Sequence, residues 1–241
     1  MKTVIIIPAR YQSTRFPGKP LQKILNKEMI IWVAEECAEV IGKKLVYIAT
    51  DDERIHATVK TFGFQTISTS KNCLTGTDRV AEASKKINSA IYINVQGDEP
   101  LIDPELIKLV AKALQENDVN YVSACSNFEK FDDYLNPNNV KVVFDQNQFA
   151  IEFYRKPLVK NKEDWNAQQQ FHHMGLYGYT KKLLDNFCSL PISNLENTLK
   201  LEQLRALENN ISLKILKYEG KIHRGIDTTE DLVAIQKYLE K

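Results

Sequence analysis

Arg10, Arg15 and Lys19 stand within one ten-residue stretch, directly after an apolar run at residues 4–7 that has the length of a buried strand. In an open α/β sheet, ligands gather at the carboxyl ends of the strands. Three cations at such an end, with Pro8 and Pro17 marking turns and Gly18 permitting close backbone approach, suit a polyphosphate. The stretch is not a Walker A loop, and single Arg or Lys residues are ordinarily solvated. Number and placement carry the reading. A second strand end, NVQGDEP at residues 94–100, brings Asp98 to the same edge. Beside a triphosphate Asp98 is a natural Mg²⁺ ligand, since Mg²⁺ takes one or two carboxylates together with phosphate oxygens and water. Asp227 in GIDTTEDL is the best candidate for the second carboxylate. Each Asp also reads as an ordinary loop or helix-capping residue, and sequence spacing does not show that the two meet.

Weaker signals follow. In TGTDR, residues 75–79, Gly76 between Thr75 and Thr77 suits close packing against a base or sugar, and Arg79 offers a further anion contact; a turn before a helix explains the motif equally well. Arg155, His172, His173, Tyr177, Glu202 and Gln203 form a polar set in the second half. His172 and His173 are no zinc signature, because neighbours on a strand face opposite ways, and one of the two is expected in a site. Glu202 and Gln203 lie in a pattern with Leu199, Leu201, Leu204 and Leu207, which reads as a helix whose polar pair faces solvent. No GxSxG or GxGxxG motif is present, and no Cys has an activating partner in sequence, so an enzyme of this kind must work by positioning and charge stabilisation.

The elements that must hold these groups alternate. Strands are expected at residues 4–7, 45–49, 65–69, 90–95 and 121–124, with helices at 29–40, 54–62, 78–87 and 105–115. That alternation implies α/β architecture: a mainly parallel sheet with helices on both faces. Strands at 140–144, 149–153 and 175–180 are hairpin-like and suggest a small antiparallel excursion or an oligomer contact. Helices at 180–187, 194–208 and 229–239 and a strand at 213–218 complete the chain, with Glu230 and Asp231 favouring the last helix's N-terminus. The 241 residues fit a single domain, 43% apolar and 26% charged. A net charge of +1 argues against bulk nucleic-acid or anionic-membrane binding. No apolar run reaches membrane-spanning length. Four scattered cysteines without a CxxC spacing read as reduced thiols of a cytoplasmic protein.

Taken together, IIPARYQSTRFPGKPL, ATDD, TGTDR, VQGDEPLI, NPNNVKVV, HMGLYGY, LEQLRALE and IDTTEDL resemble the 3-deoxy-manno-octulosonate (Kdo) cytidylyltransferases, or CMP-Kdo synthetases. The likeness runs in order from Ile6 to Leu232. It implies the nucleotide-diphospho-sugar transferase fold, with residues 137–180 as an inserted antiparallel dimerisation subdomain. It also implies a Mg²⁺-dependent cytoplasmic homodimer that converts CTP and Kdo to CMP-Kdo and pyrophosphate for lipopolysaccharide or capsule synthesis. By the resemblance, Arg10, Arg15 and Lys19 hold the CTP phosphates, Lys19 at the α-phosphate. Thr75, Gly76, Thr77 and Arg79 approach the nucleotide, and Asp98 and Asp227 hold the metal. Gln96, Arg155, His173, Tyr177, Glu202 and Gln203 face the sugar acid, Arg155 being a candidate for its carboxylate. The chain departs from the family at Tyr154 and Lys156, where a serine and a small residue are usual. It departs again at residues 221–225, shorter and more basic than expected. These differences leave other substrates open: an 8-amino-8-deoxy analogue, or another 3-deoxy-2-ulosonic acid. A non-catalytic nucleotide-binding relative and a nucleotidyltransferase acting on a sugar phosphate are further alternatives.

Overall fold

Val4, Ile5, Ile6 and Ile7 are all fully buried, as an unbroken apolar run requires of a strand covered on both faces. In the computed structural model, which describes residues 1–12, 16–116, 118–220 and 225–240, they lie in β1 (Thr3–Ala9). β4 (Val46–Thr50) and β6 (Ile91–Asn94) flank β1, both parallel to it. β5 (Gln65–Ser68) follows parallel to β4. On the other side, β10 (Phe171–Thr180) pairs antiparallel with both β6 and β7 (Tyr121–Asn127), and β11 (Lys214–Lys217) is parallel to β7. The order is β11-β7-β10-β6-β1-β4-β5.

Alternate β1 side chains feed two cores. Ile5 and Ile7 pack with Ile30 and Val33 of α1 (Met29–Ile41) and Leu106 and Val110 of α4 (Pro104–Ala113). Val4 and Ile6 belong with Val80 of α3 (Gly76–Ser84), Leu184 and Phe187 of α6 (Lys181–Ser189), and stacked Tyr121 and Tyr179. Full burial of such an aliphatic side chain is worth about 1.5–3 kcal/mol, so the strand ends that carry polar loops are firmly placed. α2 (Glu53–Thr61) precedes β5. A separate hairpin of β2 (Lys23–Ile24) and β3 (Lys27–Glu28) joins α9 (Thr229–Leu239), where Ile24 meets Leu232 and Ile235. No helix among the described residues is long and apolar enough to cross a membrane.

The antiparallel strands are part of the main sheet. β8 (Lys141–Phe144), after the short α5 (Phe131–Leu135), pairs with Phe171 and His172 at the start of β10, and β9 (Ala150–Tyr154) pairs with β8. Two expectations need correction. β10 begins at Phe171, ahead of residue 175, because its first residues also pair with β7. The helix expected over 194–208 is two: α7 (Asn194–Leu199) and α8 (Leu204–Glu208), broken where Lys200 adopts a left-handed conformation (φ 54°, ψ 49°). The carbonyls freed at the break, Leu199 O and Lys200 O, accept from Arg155. A side chain thus supplies the partners that a helix end lacks.

Candidate active site

The carboxyl ends of β1 and β6 carry the cationic loop and the Gly97-Asp98 turn side by side. Gly18 has φ 69°, accessible mainly to glycine, and its N–H donates to Tyr11 O at 2.9 Å. A Cβ there would sit 3.1 Å from the Tyr11 ring. Gly18 therefore serves the turn that aims Lys19, rather than backbone approach to a ligand. Lys19 Nζ donates to Asp98 Oδ2 at 2.6 Å, to Ile226 O at 2.9 Å and to Asp227 Oδ1 at 3.2 Å. The two carboxylates do meet, and they meet on this ammonium. Burial disfavours the charged Lys19, but Asp98 and Asp227 outweigh it and raise its pKa.

A backbone bond brings Asp227 here: Ile226 N–H donates to Asp98 O at 2.8 Å. Gly225 permits this approach, since a Cβ on it would lie 3.1 Å from Glu99 Oε1 and 3.3 Å from Asp98 O. Thr228 caps α9 in a capping box with Asp231, whose carboxylate also accepts the Asp227 N–H. The capping task thus falls on Thr228 and Asp231, leaving the Asp227 carboxylate to turn toward Lys19.

Two cavities share Asp98 and Asp227 as a common wall. The first, about 290 Å³, is lined by Arg10, Lys19, Thr75, Gly76, Arg79 and Gln96 among others. The second, about 450 Å³, includes Glu129, Asp133, Asn136, Asn138, His172 and His173. No Lys or Arg among the described residues lines the second.

Of the nucleotide residues expected from sequence, Arg10, Lys19, Thr75, Gly76 and Arg79 share the first cavity, and Arg15 lies outside the described residues. Thr77 turns inward instead: its hydroxyl bonds Glu202 Oε1 (2.6 Å) and Tyr179 OH (2.9 Å). Thr75 caps α3 in a capping box with Asp78. The Arg79 guanidinium is 3% exposed and already paired with Asp51 at 3.1 Å, so its charge serves the cavity floor rather than a free anion contact.

The expected sugar residues divide. Gln96 reaches the first cavity and donates to Asn94 Oδ1 at 3.2 Å. His172 and His173 both reach the second, where one was expected. His173 lies 2.9 Å from Ser123 Oγ and is held neutral, its pKa pushed down to about 3 by burial and then by His172. Tyr177, Glu202 and Gln203 are packed beside Thr77 and Tyr179, and the Tyr177 hydroxyl donates to Gln203 Oε1 at 3.4 Å. The polar pair faces inward because the helix breaks before it. Burial raises the Glu202 pKa against the hydroxyls of Thr77 and Thr75. Arg155 lies apart, donating to Leu199 O, Pro137 O and Lys200 O. A contact with a substrate carboxylate requires it to exchange one of these. Sequence reasoning missed Asn136, Asn138 and Ser126; only the asparagine-rich NPNN run hinted at them.

The residues suit a divalent cation. Glu99 is pushed up to about 8 by burial, then by Asp98 and Asp227. Three carboxyl groups therefore crowd one point with Lys19 as the offsetting charge. That is a donor set Mg²⁺ accepts alongside phosphate oxygens. All four cysteines are free, and burial raises each thiol's pKa, so none is a poised nucleophile.

Comparison with known proteins agrees with this geometry. A family model described as Cytidylyltransferase matches residues 4–216. A 3-deoxy-manno-octulosonate cytidylyltransferase of Thermodesulfovibrio yellowstonii is 43% identical, covering 99% of this chain and 98% of that protein. An 8-amino-3,8-dideoxy-manno-octulosonate cytidylyltransferase of Shewanella sp. (strain W3-18-1) is 42% identical over 89% of both. The solved structure of a CMP:2-keto-3-deoxy-manno-octonic acid synthetase complexed with CTP superposes with a TM-score of 0.91 at 34% identity, covering 100% of this chain and 99% of the other. The chain belongs to the cytidylyltransferase family, within the group of the 3-deoxy-manno-octulosonate cytidylyltransferases.

Proposed function

We propose that the chain transfers the cytidylyl group of CTP to the anomeric hydroxyl of Kdo, forming an activated sugar for lipopolysaccharide or capsule synthesis. The observation that carries this is the meeting of Asp98, Asp227 and Lys19 on the wall between the two cavities. CTP belongs in the first cavity, its phosphates near Arg10 and Lys19. The sugar acid approaches from the second. Its hydroxyl oxygen bonds to the α-phosphorus, the bond from that phosphorus to the bridging oxygen breaks, and pyrophosphate leaves. The hydroxyl proton is lost to solvent. Lys19, within reach of both carboxylates, stabilises the charge that grows on the α-phosphate oxygens. Asp98 and Asp227 would hold Mg²⁺, which when bound offsets phosphate charge and acidifies the attacking hydroxyl. Holding both reactants at one wall supplies the orientation on which such a displacement depends.

Pyrophosphate release with CTP, Mg²⁺ and a panel of 3-deoxy-2-ulosonic acids tests the reading. Silence with every acid would sink it. An 8-amino-8-deoxy sugar is the second reading, favoured by the acidic second cavity and by the name of the Shewanella relative. A higher kcat/KM for that sugar than for Kdo selects it.

We also propose a cytoplasmic homodimer that uses residues 137–180. The support is apolar exposure on this arm: Ile151 is 61% exposed and Leu158 70%. Light scattering on Ile151→Asp tests it, and an unchanged dimer mass argues for a different interface.

A further inference from the structure

The break between α7 and α8 places Glu202 and Gln203 in the interior, and something other than helix geometry must hold them there. Arg205, 2% exposed, reaches both sides of the break. Its Nε donates to Glu196 Oε2 at 2.8 Å and its Nη2 to Glu196 Oε1 at 2.5 Å, a two-pronged pair on a residue itself 4% exposed. Its Nη1 lies 3.6 Å from Asp78 Oδ1. Asp78 and Glu196 occupy equivalent places, each the acidic member of a capping box: Asp78 with Thr75 on α3, Glu196 with Ser193 on α7. One guanidinium thus ties two helix starts together, with Glu202 bonded to Thr77 between them.

Stability alone is a poor reason for such a pair. Burying two charges costs several kcal/mol before their attraction returns it, and apolar pairs of similar volume are often as stable. A planar guanidinium gripping a carboxylate through two parallel bonds fixes angle as well as distance. The first turn of α3 carries Thr75 and Gly76, which line the first cavity. Gln203, 2% exposed, has no partner for its Nε2 among the described residues.

We propose that Arg205 and Glu196 are positioning residues of the active site. They set the α7–α8 turn against the first turn of α3, and so fix the nucleotide wall and the Glu202–Gln203 pair relative to each other. This rests on the cytidylyl-transfer reading for its kinetic arm, but not for its binding arm. Two variants test it: the apolar double Glu196→Leu/Arg205→Met, and Arg205→Lys, which keeps the charge and loses the fork. Calorimetry with CTP alone reads the nucleotide wall without turnover, and steady-state rates with CTP and the preferred ulosonic acid read the sugar side. The expected result is a CTP Kd and a sugar KM each raised about 10-fold, with kcat within about threefold, since small misplacements weaken oriented contacts. The double variant is expected to show the larger rises and a wild-type circular dichroism spectrum. Unchanged Kd and KM in a folded variant overturn the proposal, and Arg205→Lys gives that reading by itself should the double variant not fold. Inactivity of the unaltered chain toward every sugar acid counts against the proposed function, whereas the CTP Kd still decides the positioning role.

Discussion

The two cavities that meet at Asp98 and Asp227 are built from opposite materials. The first gathers Arg10, Lys19 and the buried Arg79–Asp51 pair around a helix start with a glycine at its first position. The second gathers carboxylates, asparagines and two histidines, and its described lining holds no Lys or Arg. A polyphosphate entering the second would meet uncompensated negative charge, whereas a neutral polyol or an amine would find acceptors. The shared wall is where the signs change. Sorting the substrates is thus a property of charge layout, and the reaction is confined to the boundary.

The strongest test strikes that boundary. Asp98→Asn and Asp227→Asn are each expected to cut pyrophosphate release by about 10²–10³-fold, the scale on which single groups aimed at developing charge act. CTP Kd, read by calorimetry, is expected to move far less, because Arg10 and Lys19 remain. Near wild-type turnover in both variants across a Mg²⁺ titration would remove the wall's catalytic role.

A crossed pair of substitutions asks whether the cavities are separate. Arg10→Ala in the first is expected to raise the CTP KM by about 10-fold, the loss of a charge-assisted contact. Sugar KM is expected to stay put. Asn138→Leu in the second is expected to do the reverse, raising sugar KM about threefold with CTP unaffected, as for one lost hydrogen bond. Parallel shifts in both constants for either variant would merge the two cavities into one site. Salt offers a gentler version. Raising ionic strength from about 0.05 to 0.5 M shortens the screening length well below 10 Å, so CTP KM is expected to rise several-fold while sugar KM changes less.

Much of this layout was legible in the chain. The apolar run at residues 4–7 announced a covered strand, and the polar residues after it announced a ligand edge. The Thr228–Asp231 capping box marked the start of α9, whose bounds match the expectation. Three features were not legible, for physical reasons. Asp98 and Asp227 meet through one backbone bond from Ile226, a tertiary contact with no local signature. The break at Lys200 has no glycine to mark it; the leucine spacing around it reads as one helix, and the carbonyl partners come from Arg155 on a distant strand. Thr77 points inward because Glu202 and Tyr179 wait there, and neither is near it in sequence. Local pattern shows periodicity, and long-range polar partners override it.

The smallest effect concerns His173, which stands in the second cavity as a neutral group. Its pKa in the folded chain is about 3, held down by burial first and by His172 second, against about 6.5 for an unfolded histidine. Below pH 6.5 the unfolded chain therefore takes up a proton that the folded chain refuses. The sign follows from linkage: stability from this residue is intact above pH 6.5 and is lost as pH falls toward 3. His173→Asn keeps a polar partner for Ser123 and removes the titration. Measured by urea unfolding between pH 7 and pH 4, the variant is expected to lose stability less steeply than the parent, by up to about 1.4 kcal/mol per pH unit. Equal slopes would mean that His173 gains a proton in the folded chain as readily as in the unfolded one. The second cavity would then carry positive charge at mildly acidic pH, and its contrast with the first would be a property of neutral pH alone.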